Sequence, residues 1–305
     1  MQEIGSSTRE PAYDRRRMCR ATFFLEFVGH FARTKTALLI LRRDDYAIAL
    51  RGVATEAHGL DHITTQNISL KVSDGSTMNA YVARPSRAVK HPGIIVLQEA
   101  FGVNAHIRDV AERFAKIGVV AIAPELYHRT AAGFEAPYSD FSSAVPHMQA
   151  MTYEGNIEDV RAAYEWLRND PGVHPERIAS IGFCMGGRVS FLACTALHLQ
   201  AAISFYGGGI APALLPRVPQ LNAPILFCWG GQDKHIGKEQ TQAIAEACNR
   251  AGKPFVNVDF SDADHGFFCD ARPTYHPAAA TLAWSLVESF LYLHIKEPQK
   301  RSRIR

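Results

Sequence analysis

From residue 67 onward, short apolar runs alternate with longer segments of helical spacing. Residues 67–72 and 78–84 flank Ser73-Asp74-Gly75-Ser76 and read as a hairpin closed by a Gly-containing turn. Residues 93–98 form a continuous apolar run, the pattern of a strand buried on both faces. Further strands are expected at 119–123, 177–182, 201–206, 225–229 and 255–260. Between them, apolar positions recur every three or four residues. Helices follow at 107–117, 157–168, 185–197, 238–251 and 278–293, with Val160, Ala163, Tyr164 and Leu167 sharing one face of the second. Strands that alternate with helices predict an α/β fold. The sheet should be mostly parallel and doubly wound, with an N-terminal hairpin and helices on both faces.

Residues 1–60 lack this rhythm. They carry mixed charge, little strand alternation and one amphipathic stretch near 21–33. They read as an N-terminal extension, poorly ordered or loosely docked, or as the product of a mis-assigned start codon. Residues 61–295 form the α/β domain and 296–305 a basic tail. No internal repeat is visible.

Composition narrows the function classes. A chain of 305 residues can bury a full core, and its 47% hydrophobic and 21% charged residues are ordinary for a globular protein. The net charge of +3 gives no reason to expect nucleic acid. Basic residues concentrate at the ends, with ten Lys/Arg against seven Asp/Glu in residues 1–58, and read as solvated tails. No uninterrupted run of about 18 apolar residues predicts a membrane span. Arg15-Arg16-Arg17 followed by residues 21–28 imitates a signal peptide, but Glu26 interrupts the apolar stretch and no clean cleavage site follows. The six cysteines, at 19, 184, 194, 228, 248 and 269, form no CxxC pair and no metal-ligand spacing. No metal or cofactor is therefore implied, and a cytoplasmic location is expected. The expected partner is a small molecule, and the expected state a monomer or small homo-oligomer.

One cysteine stands apart. Gly182-Phe183-Cys184-Met185-Gly186-Gly187 follows a predicted strand and precedes a predicted helix. This is G-x-C-x-G, the nucleophile elbow of the α/β-hydrolase fold with a thiol at its apex. A thiol nucleophile needs a base, and the base needs an orienting acid. In this fold they follow in the order nucleophile, acid, histidine. Asp233 comes next, in the loop after strand 225–229. His265 is third, in the loop after strand 255–260. Asp262 and Asp264 are rival acids on the histidine's own loop, and His235 is a weaker base because it lies two residues from the acid. The amide of Met185, and that of Ala100 in the loop after strand 93–98, are the candidate oxyanion donors. Glu99 places a carboxylate at the end of a buried strand, where it needs a partner; Arg129, after the next strand, is the expected one.

Gln98-Glu99-Ala100-Phe101-Gly102-Val103-Asn104, Pro124-Glu125-Leu126-Tyr127, the elbow, Gly231-Gln232-Asp233 and His265-Gly266-Phe267-Phe268 occur in that order. Together, over residues 66–295, they resemble the dienelactone hydrolase (carboxymethylenebutenolidase) family. The resemblance implies a Cys184–Asp233–His265 triad and a cysteine-dependent hydrolase of a small lactone or carboxylic ester. It implies that Glu99 holds the resting thiol and takes its proton when substrate binds, and that Arg129 and Tyr127 meet the substrate. An acyltransferase or peptidase on the same scaffold is the alternative, because a triad does not fix the acyl acceptor. Two positions depart from the family pattern. Cys269 stands where an arginine is expected and Gly266 where a serine is, and Arg272 is the candidate replacement for the arginine.

Overall fold

The computed structural model describes residues 62–296. The extension at 1–60 and the basic tail beyond Lys296 lie outside the described residues. Eight strands form one sheet: β1 (Ile63–Lys71), β2 (Thr77–Pro85), β3 (His91–Leu97), β4 (Val120–Pro124), β5 (Val173–Phe183), β6 (Ala201–Phe205), β7 (Ile225–Gly230) and β8 (Phe255–Phe260). Their order is β1-β2-β4-β3-β5-β6-β7-β8. The β1–β2 hairpin joins the sheet antiparallel through β4, and every other pairing is parallel. All residues of β3, β4, β6 and β7 are buried, which is why these strands read as unbroken apolar runs. Each Ile or Leu buried there contributes about 1.5–3 kcal/mol.

Among the described residues six α-helices cover the sheet: α1 (Ala105–Lys116), α2 (Phe141–Ala150), α3 (Tyr153–Asn169), α4 (Met185–Ala196), α5 (Lys238–Arg250) and α6 (Pro277–Leu291). On one face α1 meets α6 through Phe114 and Trp284, whose ring centroids are 4.9 Å apart. The other face carries α3 against α4. The sequence pattern missed α2, which has Pro146 inside and buries only Ala144, so it has no apolar stripe to read. It also started β5 four residues late, at Arg177.

Side chains cap four of these helices, α6 among them, where His276 Nδ1 accepts the amide of Ala279 at 3.2 Å. Asn104, Asp140 and Thr152 accept the amides of Ile107, Ser143 and Gly155 at 3.3, 3.2 and 3.0 Å. Helix α4 has no such cap, because its N-cap position is Cys184. The final segment, Pro277–Lys296, is apolar and long enough by composition to cross a membrane (20 residues, mean hydropathy 1.3). It nevertheless lays Ala279, Ala280, Ala283, Val287, Phe290 and Leu291 into the interior, as a core helix does.

The topology fixes where a site can form. β4 lies on one side of β3 and β5 on the other, so the winding direction reverses at β3. Beyond the carboxyl ends of β3 and β5 a crevice opens. Glu99 and Ala100 follow β3, Cys184 follows β5, Asp233 follows β7 and His265 follows β8.

Candidate active site

The turn at Cys184 depends on its glycines. Cys184 adopts φ 55° and ψ −117°, a left-handed conformation that costs a non-glycine residue about 1–3 kcal/mol. A Cβ at Gly182 would stand 1.9 Å from the carbonyl oxygen of Gly186. One at Gly186 would stand 2.3 Å from that of Leu97. β5 can therefore turn straight into α4 against the end of β3. The Cys184 amide donates to the Phe205 carbonyl at 3.0 Å, which ties the apex to β6.

His265 and Cys184 line the same cleft, and the thiol bears on the charge of the imidazole. On its other side, Nδ1 lies 2.7 Å from Asp233 Oδ2. Asp233 Oδ1 accepts the amides of His235 and Ile236 at 2.8 and 3.1 Å, so the carboxylate is held at both oxygens. Burial opposes a charge on His265, but Asp233 and Cys184 outweigh it and push the ring up to about 10. Burial likewise raises Asp233, yet the His265 contact and the two amides hold it below its usual range. The rival acids are engaged elsewhere: Asp264 accepts the amide of His265 at 2.6 Å, and Asp262 faces His276 at 3.4 Å. His235 packs edge-on against His265, with centroids 5.6 Å apart.

Ala100 and Met185 both line the cleft beside Cys184. The Met185 amide is the first N–H of α4, a helix start with no side-chain cap. The hydroxyl of Tyr127 donates to the Ala100 carbonyl at 3.1 Å and lies 3.5 Å from Met185 Sδ. Tyr127 is thus a buried brace beneath these two residues and is not among the cleft-lining residues, contrary to expectation.

Arg129 is also placed differently from the expectation. Its guanidinium grips the buried Asp159 with both terminal nitrogens, at 2.9 and 2.8 Å, and its Nε reaches Asp74 at 2.7 Å. It fastens the hairpin turn to α3 and does not line the cleft. The partner of Glu99 is instead Arg272, 3.1 Å from Oε1. Glu99 Oε2 is buried without a hydrogen bond, so in this structure neither carboxylate oxygen holds the thiol.

The two departures from the family pattern explain each other. A Cβ at Gly266, which has φ +78°, would meet the Arg272 guanidinium at 2.4 Å. The missing side chain gives Arg272 its path, and the guanidinium then spans the rings of Phe101 and Tyr138 at 5.8 Å from each.

The cleft encloses about 420 Å³. Phe101, Tyr138, Phe141, Met148 and Ile236 make an apolar wall, and Arg188 and Arg272 supply positive charge. Sequence reasoning passed over Arg188. Its spacing was the available signal: four residues after Cys184 it sits one turn along the same helix face. Its Nε is buried and has no hydrogen-bond partner. The aromatic wall was not legible, because Tyr138 and Phe141 come from a loop and a helix that show no pattern.

Known proteins carry the same arrangement of chain. The profile of the Dienelactone hydrolase family matches residues 78–294. A Synechocystis sp. protein named "Putative carboxymethylenebutenolidase" is 35% identical, over 77% of this chain and 96% of its own. The carboxymethylenebutenolidase of Pseudomonas putida is 32% identical, over 72% of this chain and 92% of its own. The crystal structure of a Klebsiella pneumoniae protein named "Putative Dienelactone Hydrolase" superposes with a TM-score of 0.69 at 30% identity, covering 76% of this chain and all of that one. With its sheet order, its cysteine elbow and a match spanning most of its length, the chain belongs to the dienelactone hydrolase family.

Proposed function

We propose that the protein is a cysteine-dependent hydrolase of a small, anionic lactone or carboxylic ester. The observation that carries this reading is the His265–Asp233 pair in the cleft that Cys184 lines from an uncapped helix start. A protonated His265 held between Asp233 and Cys184 pairs with a thiolate sulfur. The thiolate attacks the carbonyl carbon, and the amides of Met185 and Ala100 receive the developing oxyanion. As the C–S bond forms and the C–O bond breaks, His265 passes its proton to the departing oxygen. Water then attacks the thioester while His265 takes its proton, which releases the acid and restores the thiolate. Glu99 acts through Arg272, whose position it fixes. A thiol used this way must stay reduced, which suits the cytoplasm.

An ester whose deacylation is slow should leave its acyl mass on the peptide containing Cys184, while hydrolysis of peptide amides stays at background. An acyl adduct on another residue would sink the assignment. Rapid amide cleavage would instead favour a peptidase.

The unpaired Nε of Arg188 bears on the charge of the substrate. Arg188→Gln is expected to raise KM for a carboxylate-bearing aryl ester by at least ~10-fold with little change in kcat, since a charge-assisted contact contributes about 1.5–3 kcal/mol. A neutral aryl ester should be affected less than threefold or so. Equal losses for both esters would show that Arg188 does not read charge.

A further inference from the structure

Outside the lining of the cleft lies a histidine that the proposed chemistry does not use. His106, near the start of α1, packs against those two rings at 5.9 and 6.1 Å. Its side chain is 2% exposed, and neither ring nitrogen has a hydrogen-bond partner. Leaving such a group unsatisfied costs about 1–3 kcal/mol. Both nitrogens would need a partner that no side chain or carbonyl supplies.

Two ligand-bearing groups converge on it. Cys269 is fully buried, and Asp270 is exposed with Oδ1 4.0 Å from His106 Nδ1. One ligand atom from each of His106, Cys269 and Asp270 lies within 4.8 Å of the other two. We propose that these three residues, none of which lines the Cys184 cleft, form a binding site for a divalent, borderline-soft metal ion such as Zn²⁺.

The chemistry suits that ion. Thiolate and imidazole select Zn²⁺ over Mg²⁺ or Ca²⁺, and one thiolate with one carboxylate neutralises its charge. Tetrahedral zinc, with bonds of about 2.0–2.3 Å, sets its ligands roughly 3.3–3.8 Å apart, so the trio must close by about 1 Å. The exposed Asp270 side chain can make that movement. Its nearest cation, Arg113, 3.8 Å away, is already paired with Asp109. Solvent on the Asp270 side would fill the fourth position, and binding would release the Cys269 proton to water. The ion would tie α1 to the loop that carries His265 and Arg272.

Cobalt(II) and Zn²⁺ titrations of the full-length chain test the site, run in a Cys184→Ala background to remove the cleft thiol. One equivalent of Co²⁺ should give a thiolate-to-metal charge-transfer band in the near ultraviolet, and Zn²⁺ should bleach it. Cys269→Ser should abolish the band. Asp270→Asn, a surface change that leaves the fold alone, should weaken Zn²⁺ binding at least ~10-fold against a chromophoric chelator, since even outer-shell losses cost that much. Absence of the band, its survival in Cys269→Ser, or unchanged affinity in Asp270→Asn would overturn the proposal.

Discussion

Cys184→Ser is expected to lower kcat/KM for aryl esters by at least ~100-fold, the lower end of what a lost nucleophile or base contributes. The substitution exchanges one small side chain for another at a position whose backbone is held by Gly182, Gly186 and the Phe205 carbonyl, so the fold should be unchanged. What changes is the charge balance. His265 is pushed up to about 10 partly by its contact with Cys184. A serine hydroxyl does not ionise near neutrality, so that contribution vanishes and the ion pair with it. His265 would then have to remove the hydroxyl proton during the attack, whereas the proposed route starts from a thiolate. Circular-dichroism spectra of the two proteins should coincide while their turnover differs. Turnover within a few-fold of the parent would show that His265 activates either nucleophile as a general base, and the thiolate–imidazolium pair would be dispensable.

How far the sequence reveals this arrangement depends on the distance over which each feature is encoded. The buried strands are written locally: β3, β4 and β7 have no polar face, and a run such as Gly93-Ile94-Ile95-Val96-Leu97 admits little else. The elbow is equally local, because Gly182 and Gly186 clear space for backbone within a few residues of Cys184 and at the end of β3. Asp233 and His265 were found through the order in which this fold presents its loops, a rule of topology that needs no contact distance. Ion pairs obey no such rule. Arg129 and Arg272 both bear a guanidinium that could reach Glu99, and only the folded chain shows Asp159 claiming the first and leaving the second. Gly266 was visible as a departure from a pattern, but its reason lies in the bulk of a side chain six positions on. Helix α2 was missed because a helix that buries one alanine and contains a proline has no periodicity to detect.

Asp233→Asn should cost between ~10² and ~10⁴ in kcat/KM, the range spanned by loss of general acid–base catalysis and of a triad acid. The surroundings dictate how the new amide sits. The backbone N–H groups of His235 and Ile236 both donate to Oδ1 of Asp233, so the asparagine must keep its oxygen there. Its NH₂ then faces His265 Nδ1, which has to become an acceptor. The imidazole proton moves to the other nitrogen, and the doubly protonated ring loses the contact that favoured it. Reaction of Cys184 with iodoacetamide at pH 7 should slow accordingly. Stability carries a second signature. A histidine raised from 6.5 to about 10 contributes stability that is fully present below pH 6.5 and disappears as pH rises through 10. The lowered Asp233 contributes above its ordinary 3.8, and that contribution disappears as pH falls through its depressed value. The gap in unfolding free energy between parent and Asp233→Asn should therefore be widest between about pH 4 and 6.5 and narrow toward either extreme. A gap that stays constant from pH 5 to pH 10 would mean that the Asp233–His265 contact does not hold the ring in its charged form. The thiolate–imidazolium pair, and with it the proposed route to the acyl-enzyme, would then lose its electrostatic basis.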